Sequence, residues 1–148
     1  MTYRHLLVPT DGSELSSRAV AQAAALAAAV GADLHVLHVL SSFPISLVGV
    51  GELVEASTVK ALVAASRHQA ETILEQAVAV AAAAGVSATA GSRQGSQPHR
   101  EILAEAEARG CDLIVMASHG RQGLEGLLIG SETQRVLIHS RIPVLVVR

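Results

Sequence analysis

The fold is decided by the stretch HLLVPTDGSELSSRAVAQAAALAAAVGADLHVLHVL, residues 5–40. Its first apolar run, residues 6–8, is continuous and stops at a polar turn, which is typical of a buried strand. From Glu14 to Val30 the apolar residues recur every three or four positions, which predicts a helix with Ser13 as its N-cap and Gly31 at its C-terminus. A second apolar run at 34–40 predicts another strand. The stretch therefore indicates a strand, a helix and a strand in succession.

The same alternation continues to the end of the chain. The pattern predicts helices at about 52–84, 98–109 and 132–139, and strands at 86–92, 113–116 and 144–147. The strands are short and apolar with little polar alternation, as expected when both faces of a sheet are covered. We therefore expect an α/β fold with an open five-stranded parallel sheet and helices on both faces. The length of 148 residues suits one domain, residues 1–148.

Composition excludes several classes of protein. The formal net charge is −2, so the chain lacks the basic field that drives binding to nucleic acid. The uncharged stretch 34–51 contains two histidines, three serines and a proline, which favours a strand and a loop over a membrane span. The single cysteine, Cys111, excludes an internal disulfide and fits a reducing cytoplasm, where we expect it to be a core residue.

A ligand site is predicted where two strands end. Open parallel sheets bind ligands beyond the carboxyl ends of their strands, at the point where the strand order reverses. If the two halves of the sheet wind in opposite directions, the turns PTDG (9–12) and ASHG (117–120) share one crevice. The second turn opens the stretch ASHGRQGLEGLLIGSET (117–133), whose four glycines suit either a phosphate cradle or a flexible surface loop. The start of the last helix, near Gly130 and Ser131, offers free N–H groups to an anion.

At this point the chain resembles the universal stress protein family. The resemblance rests on HLLVPTDGSELSSRA, LHVLHV, CDLIVMASHGRQGLEGLLIGSETQRVL and IPVLVV, and it spans nearly the whole chain. It implies a Rossmann-like fold of the adenine nucleotide alpha hydrolase type with strand order 3-2-1-4-5. It also implies binding of ATP, or of AMP or ADP, with or without Mg²⁺, and a homodimer formed through strand five.

The resemblance also implies which residues bind the nucleotide. Nucleotide-binding members share the pattern Gly, two residues, Gly, nine residues, then Gly-Ser or Gly-Thr. Gly120, Gly130 and Ser131 match it, whereas Ala117 replaces its first glycine. By the same resemblance Thr10 and Asp11 contact the ribose and adenine side, and Val39 and Met116 contact the base. The whole predicted site consists of Pro9, Thr10, Asp11, Val39, Met116, Ala117, His119, Gly120, Arg121, Gly130, Ser131, Glu132 and Thr133.

Several of these residues have a second interpretation. Val39 and Met116 are suited to core packing in any case. Asp11 can act as a helix cap as well as a hydroxyl acceptor. His119 can make a structural hydrogen bond as well as a phosphate contact. We predict no metal site, because His35 and His38 have an odd spacing on a strand and so point to opposite faces. We also predict no catalytic residues, because the sequence shows neither a nucleophile elbow nor paired carboxylates.

These observations favour a nucleotide-binding protein with a regulatory or sensing role in the stress response. Two other functions remain open: a slow Mg²⁺-dependent ATP hydrolase that uses the same cradle, and a nucleotide-free dimeric module that binds other proteins. The apolar loop at 41–51 leaves the ligand-binding edge of the sheet, and we expect it to be mobile and to border the crevice.

Overall fold

The computed structural model describes residues 2–42, 56–120 and 129–148. In these ranges strands and helices alternate along the chain, as the sequence predicts. The elements are β1 (His5–Pro9), α1 (Glu14–Val30), β2 (Asp33–Ser41), α2 (Ala56–Ala83), β3 (Thr89–Gly95), α3 (Pro98–Ala108), β4 (Leu113–Ala117), α4 (Ser131–His139) and β5 (Val144–Val147).

The described strands form one parallel sheet of five strands in the order β3-β2-β1-β4-β5. This confirms the predicted fold class and strand order. The chain runs from β1 outward to β3, then returns to the centre and runs from β4 outward to β5. The order therefore reverses between β1 and β4, which are hydrogen-bonded neighbours with Leu6 opposite Leu113. The ends of β1 and β4 consequently lie side by side.

The core has two layers, one on each face of the sheet. Successive residues of a strand point to opposite faces, so Leu6 and Val8 pack under α1 and α2 while Leu7 packs under α3 and α4. The inward face of helix α1 consists mainly of alanine, whose small side chain allows a helix to pack close to a sheet. Its buried residues are Ser16, Ala19, Val20, Ala23, Ala24 and Ala27. The small residues that dominate the composition thus set the distance between helix and sheet.

The predicted ends of α1 are confirmed. The hydroxyl of Ser13 accepts a hydrogen bond of 3.2 Å from the backbone N–H of Ser16, which caps the first turn. At the other end Gly31 has φ of 70°, a left-handed conformation that glycine adopts without a steric penalty.

The third strand differs from its predicted position. It spans Thr89–Gly95 instead of 86–92, because parallel pairing with β2 sets Thr89 opposite His35 and Gly95 opposite Ser41. Val86 favoured the earlier start by its apolar side chain, but that side chain is buried in the α1 layer of the core, within the connection from α2. The predicted helix at 52–84 is present as α2 from Ala56, and residues 52–55 lie outside the described ranges.

Cys111 is buried and unpaired in the layer under α3, as expected for a core residue. Burial raises the pKa of its thiol, which keeps the reactive thiolate scarce. In the described part of the chain, no helix has the length and apolar character needed to cross a membrane.

Candidate functional site

The first wall of the crevice is the turn that follows β1. The carboxylate of Asp11 accepts a 3.0 Å hydrogen bond from the backbone N–H of Ser13. The hydroxyl of Thr10 is buried, 2.9 Å from the hydroxyl of Ser16, and accepts a 3.2 Å bond from the N–H of Gly12. Asp11 thus closes the turn before α1, while Ser13 caps the helix. Both predicted residues are held rigidly at the end of β1.

The second strand fixes the same turn. Nδ1 of His38 lies 2.8 Å from the carbonyl oxygen of Thr10, and the N–H of Thr10 donates to the carbonyl of Leu37 at 2.8 Å. His35, three residues earlier, contacts Thr89 and Glu105 instead. The two histidines therefore serve different places, as their odd spacing predicts. The bond from His38 to the turn was not predicted, because the turn's path is not readable from the sequence.

The second wall consists of the end of β4 and the start of α4. The hydroxyl of Thr133 donates to the carbonyl of Ala117 at 2.9 Å, and the N–H of Gly130 donates to the carbonyl of Ser118 at 2.5 Å. Nδ1 of His119 lies 3.3 Å from the hydroxyl of Ser118. These bonds bring residues 117–119 and 130–133 together, although the two segments are separated in the sequence. Thr133 is buried and serves this junction.

Two glycines allow the walls to meet. A Cβ atom on Gly120 would overlap the carboxylate of Asp11, so the exits of β1 and β4 are in direct contact. A Cβ atom on Gly130 would lie 3.1 Å from Cα of His119 and 3.3 Å from the carbonyl oxygen of Ser118. Since both obstacles at Gly130 belong to backbone or near-backbone atoms, a larger residue there would push α4 away from β4.

The start of α4 differs from the starts of α1 and α3. Ser13 caps α1, and a carboxylate oxygen of Glu132 accepts a bond from the backbone N–H of His99 in the first turn of α3. The N-cap of α4, Gly130, makes no side-chain capping bond. Ser131 is exposed beside it. Among these three helix starts, α4 is the one for which the described residues show no side-chain cap, and uncapped N–H groups attract anions.

Glu132 turns toward α3 although it belongs to the first turn of α4. Its Oε2 accepts 2.8 Å and 2.9 Å bonds from the backbone N–H and Nδ1 of His99, and its Oε1 accepts a 2.6 Å bond from Arg135. Burial raises the pKa of this carboxyl, but the bonds from His99 and Arg135 outweigh burial and the net pKa is lowered. Glu132 is therefore ionised and engaged away from its own helix start.

The apolar residues predicted to contact a base lie in one layer. Met116 is buried in the cluster under α3 and α4, and Val39 packs against the same cluster at half-burial. Ala117 faces the other way, with its methyl group buried in the α1 layer. Pro9 is half-buried at the end of β1. Arg121 and most of the loop 41–51 lie outside the described residues.

A second polar cluster joins α3 to the strands β2 and β3. The Oε2 of Glu105 accepts a 2.8 Å hydrogen bond from Nη1 of Arg93, and its Oε1 accepts a 2.5 Å bond from Nε of Arg109. The same Oε1 lies 3.2 Å from Nε2 of His35. The pair with His35 is close in distance but lacks hydrogen-bond geometry, so Nε2 has no hydrogen-bond partner in the described structure. Burial, followed by the charge of Arg109, lowers the pKa of His35. Burial raises the pKa of Glu105, but the two arginines outweigh it and the net pKa is lowered.

A cavity of about 320 Å³ lies next to this second cluster, at the amino ends of the strands. Its lining includes His5, Asp33, Thr89, Arg109 and Cys111. The cavity therefore lies at the opposite ends of the strands from the crevice. Parallel sheets do not usually bind ligands at these amino ends. Among the residues described, no three His, Cys, Asp or Glu side chains are grouped so that they could hold a metal ion.

The model of the Universal stress protein family matches residues 2–148. Universal stress protein YxiE of Bacillus subtilis is 33% identical over 157 aligned positions, which cover 99% of each chain. The solved structure of MJ0577, a universal stress protein of Methanocaldococcus jannaschii, has a TM-score of 0.81 at 31% identity and covers 99% of this chain and 96% of its own. A universal stress protein crystallised in complex with cAMP has a TM-score of 0.70 at 28% identity and covers 100% of this chain and 98% of its own.

Proposed function

The chain belongs to the universal stress protein family, and from this premise we propose that it binds an adenine nucleotide in the crevice between β1 and β4, in a regulatory or sensing role. The observation that carries the proposal is the uncapped start of α4 at Gly130 and Ser131, which opens at the edge of the sheet where β1 and β4 end together. The related protein solved with cAMP supports an adenine nucleotide as the ligand class.

The phosphates would bind at the start of α4. Its first N–H groups and the positive end of the helix dipole favour an anion, and the exposed hydroxyl of Ser131 adds a donor. Gly130 suits this role because a Cβ atom there would lie only 3.1 Å from Cα of His119 and 3.3 Å from the carbonyl oxygen of Ser118, so that a side chain would crowd the junction. Phosphate contact by His119 is part of the same proposal, since it lies at this junction.

The nucleoside would lie toward β1 and β2. Thr10 and Asp11 are fixed at the end of β1 by hydrogen bonds to their own turn, so their polar atoms are preorganised for ribose hydroxyls. Val39 and Met116 belong to the apolar layer on the α3 and α4 face, which supplies contact for a base. We infer ATP as the ligand, with Mg²⁺ as its counterion. AMP and ADP are the alternative ligands.

A regulatory role fits the chemistry of the residues described. The carboxylates of Asp11 and Glu132 both accept hydrogen bonds from backbone N–H groups, which favour the ionised form and disfavour a role as general base. A phosphate cradle without an activated base orients its ligand but accelerates hydrolysis little. Any ATP hydrolysis should accordingly be slow. The buried unpaired Cys111 agrees with a reducing compartment, and we infer the cytoplasm.

Calorimetric titration with ATP and Mg²⁺ tests the proposal. The parent chain should bind, and Gly130→Val should bind at least tenfold more weakly because the new side chain forces α4 away from β4. Ser131→Ala should lose about 1 kcal/mol of binding free energy as one donor disappears. Gln134→Ala, an exposed change one turn further along α4, is the control. Failure of the parent to bind at millimolar ATP would overturn the proposal.

Ala117→Gly tests the departure from the family pattern. The methyl group of Ala117 is buried in the α1 layer, so its removal should reduce stability by about 1 kcal/mol and leave ATP affinity unchanged. Tighter binding by this variant would show instead that Ala117 attenuates the site.

We also propose a homodimer that forms through β5. This strand is at an edge of the sheet, and Leu145 in it is 43% exposed, with Ile138 of α4 74% exposed. Apolar edge strands tend to pair with another chain. Light scattering should give twice the mass of one 15.2 kDa chain. Leu145→Asp should shift the equilibrium to the monomer, and a monomeric parent at micromolar concentration would contradict the proposal.

A further inference from the structure

The start of α4 carries its own potential competitor for phosphate, the carboxylate of Glu132. We propose that His99 is a positioning residue that holds this carboxylate on α3, so that the first N–H groups of α4 stay available to a ligand anion. The inference rests on the proposed nucleotide function and identifies what regulates access to the phosphate end of that site.

The geometry of the contact shows how Glu132 is held. Its Oε2 accepts two bonds from one residue, at 2.8 Å from the backbone N–H of His99 and at 2.9 Å from its Nδ1. Because a carboxylate can only accept, Nδ1 must carry a proton. Arg135 takes the other oxygen, Oε1, at 2.6 Å. The carboxylate therefore has three donors, two from His99 of α3 and one from the Arg135 side chain, and none of the three is a backbone N–H of α4.

The competing position is favourable on physical grounds. A glutamate in the first turn of a helix is attracted to the positive end of the helix dipole, and it can fold back to accept from uncapped N–H groups. Glu132 is the second residue of α4, and Gly130 supplies no side-chain cap of its own. If the donors on His99 were absent, the N–H groups of α4 would be the alternative. A carboxylate bound there would both occupy the donors and repel a phosphate.

His99 is placed to resist this rearrangement. Its ring is buried, 7% exposed, and stacks on the ring of His139 with 6.0 Å between centroids. Pro98 begins α3 and has no N–H, so the backbone N–H of His99 is the first donor of that helix. The ring and the backbone donor of His99 are thus fixed by the packing of α3 against α4. One contact serves as the cap of α3 and as the restraint on Glu132.

Paired substitutions in the full chain separate restraint from simple packing. His99→Phe keeps the bulk and the ring stacking but removes Nδ1, and it should weaken ATP binding about three- to fivefold, the range expected for one charge at a helix terminus. Adenosine, which lacks phosphate, should bind as it does to the parent. Adding Glu132→Gln to His99→Phe should restore ATP affinity, because the competing charge is gone. His99→Asn, which keeps a side-chain N–H donor, should stay close to the parent.

A merely structural role for His99 would weaken both ligands and would not be reversed by Glu132→Gln. Arg135→Ala provides a second variant at an exposed position. It should weaken ATP binding in the same direction, and Glu132→Gln should again reverse the loss. If the parent binds ATP and both His99→Phe and Arg135→Ala bind it equally well, the inference is overturned and the proposed function stands. If the parent itself fails to bind ATP, the proposed function is overturned first.

Discussion

Glu105 and Glu132 are two carboxylates with similar partners and different surroundings. Each pairs with a histidine and with arginine, and each has a lowered pKa because its hydrogen bonds outweigh burial. Glu105 is 8% exposed and bridges α3 to the two strands that carry His35 and Arg93. Glu132 is partly open and bridges the first turn of α4 to the first turn of α3.

The difference lies in what remains unsatisfied around each carboxylate. Around Glu105 two arginines donate to the oxygens, and the nitrogen without a hydrogen-bond partner in the described structure, Nε2 of His35, is buried. Around Glu132 the carboxylate itself is satisfied, but the helix start beside it has no side-chain cap. The same pairing of residue types therefore joins a helix to the sheet at one position and lies beside a helix start without an N-cap side-chain bond at the other. The surroundings of a charged group decide its role more than its partners do.

The largest effect is expected when the Glu105 cluster is broken. Glu105→Ala removes the carboxylate that accepts hydrogen bonds from Arg93 and Arg109 and that lies beside the buried His35, and we expect the free energy of unfolding to fall by about 3 kcal/mol. Urea unfolding followed by circular dichroism gives the value. Glu107→Ala in the same helix is exposed and should change stability little. A loss no larger than that of the control would remove the distinction between the two carboxylates.

A smaller effect is expected at the second carboxylate. Glu132→Ala removes the external cap of α3 and should cost about 1 kcal/mol, the usual loss for an N-terminal cap. Thermal unfolding of this variant beside Gln134→Ala measures it. If Glu132→Ala were as damaging as Glu105→Ala, the α3–α4 contact would be part of the stabilising frame and not a local restraint.

The smallest effect concerns the pH dependence of stability, to which the buried His35 beside Glu105 contributes. Burial lowers the folded pKa of His35 below its ordinary value of 6.5, so the unfolded chain binds a proton first as pH falls. The free energy of unfolding should therefore decrease as pH falls through 6.5 and stop decreasing once folded His35 is protonated too. His35→Gln should abolish this decrease in urea unfolding measured across a pH series. An unchanged decrease in that variant would assign it to another histidine.

A second decrease is expected in more acid solution. The pKa values of Glu105 and Glu132 are lowered from 4.5, so their stabilisation is complete above 4.5 and is lost as pH falls through the folded values. As long as the variant folds, Glu105→Ala should remove part of the fall in the free energy of unfolding below pH 4.5. The same pH series then separates the contribution of the histidine from that of the carboxylates.

Local patterns were enough to predict the frame of the molecule. Helical periodicity and the capping residues Ser13 and Gly31 located α1, and the run of apolar strands predicted the parallel sheet. The meeting of the exits of β1 and β4 followed from the strand order that the family resemblance implies. The start of β3 was predicted too early, because the apolar Val86 packs in the core from the connection before the strand and does not belong to β3 itself. Strand pairing, which the sequence does not display, decides that boundary.

The contacts of Glu132 were beyond prediction for a different reason. Its partner His99 is 33 residues earlier in the chain, and the bond exists because α3 and α4 pack side by side on one face. Sequence placed Glu132 correctly in the first turn of the last helix but could not say to which helix its carboxylate turns. The direction of a side chain between two helices depends on tertiary packing.

The N–H of Ser118 donates to the carbonyl of Val147 at 2.8 Å, so the exit of β4 is bonded to the edge strand β5. Ser118, which adjoins the proposed phosphate contact His119, is thus hydrogen-bonded to the strand that would meet a second subunit. By thermodynamic reciprocity, if pairing through β5 tightens nucleotide binding by some factor, then nucleotide must tighten pairing by the same factor. Under that linkage the apparent affinity for nucleotide depends on the concentration of the protein, and the extent of dimerisation depends on the concentration of the nucleotide.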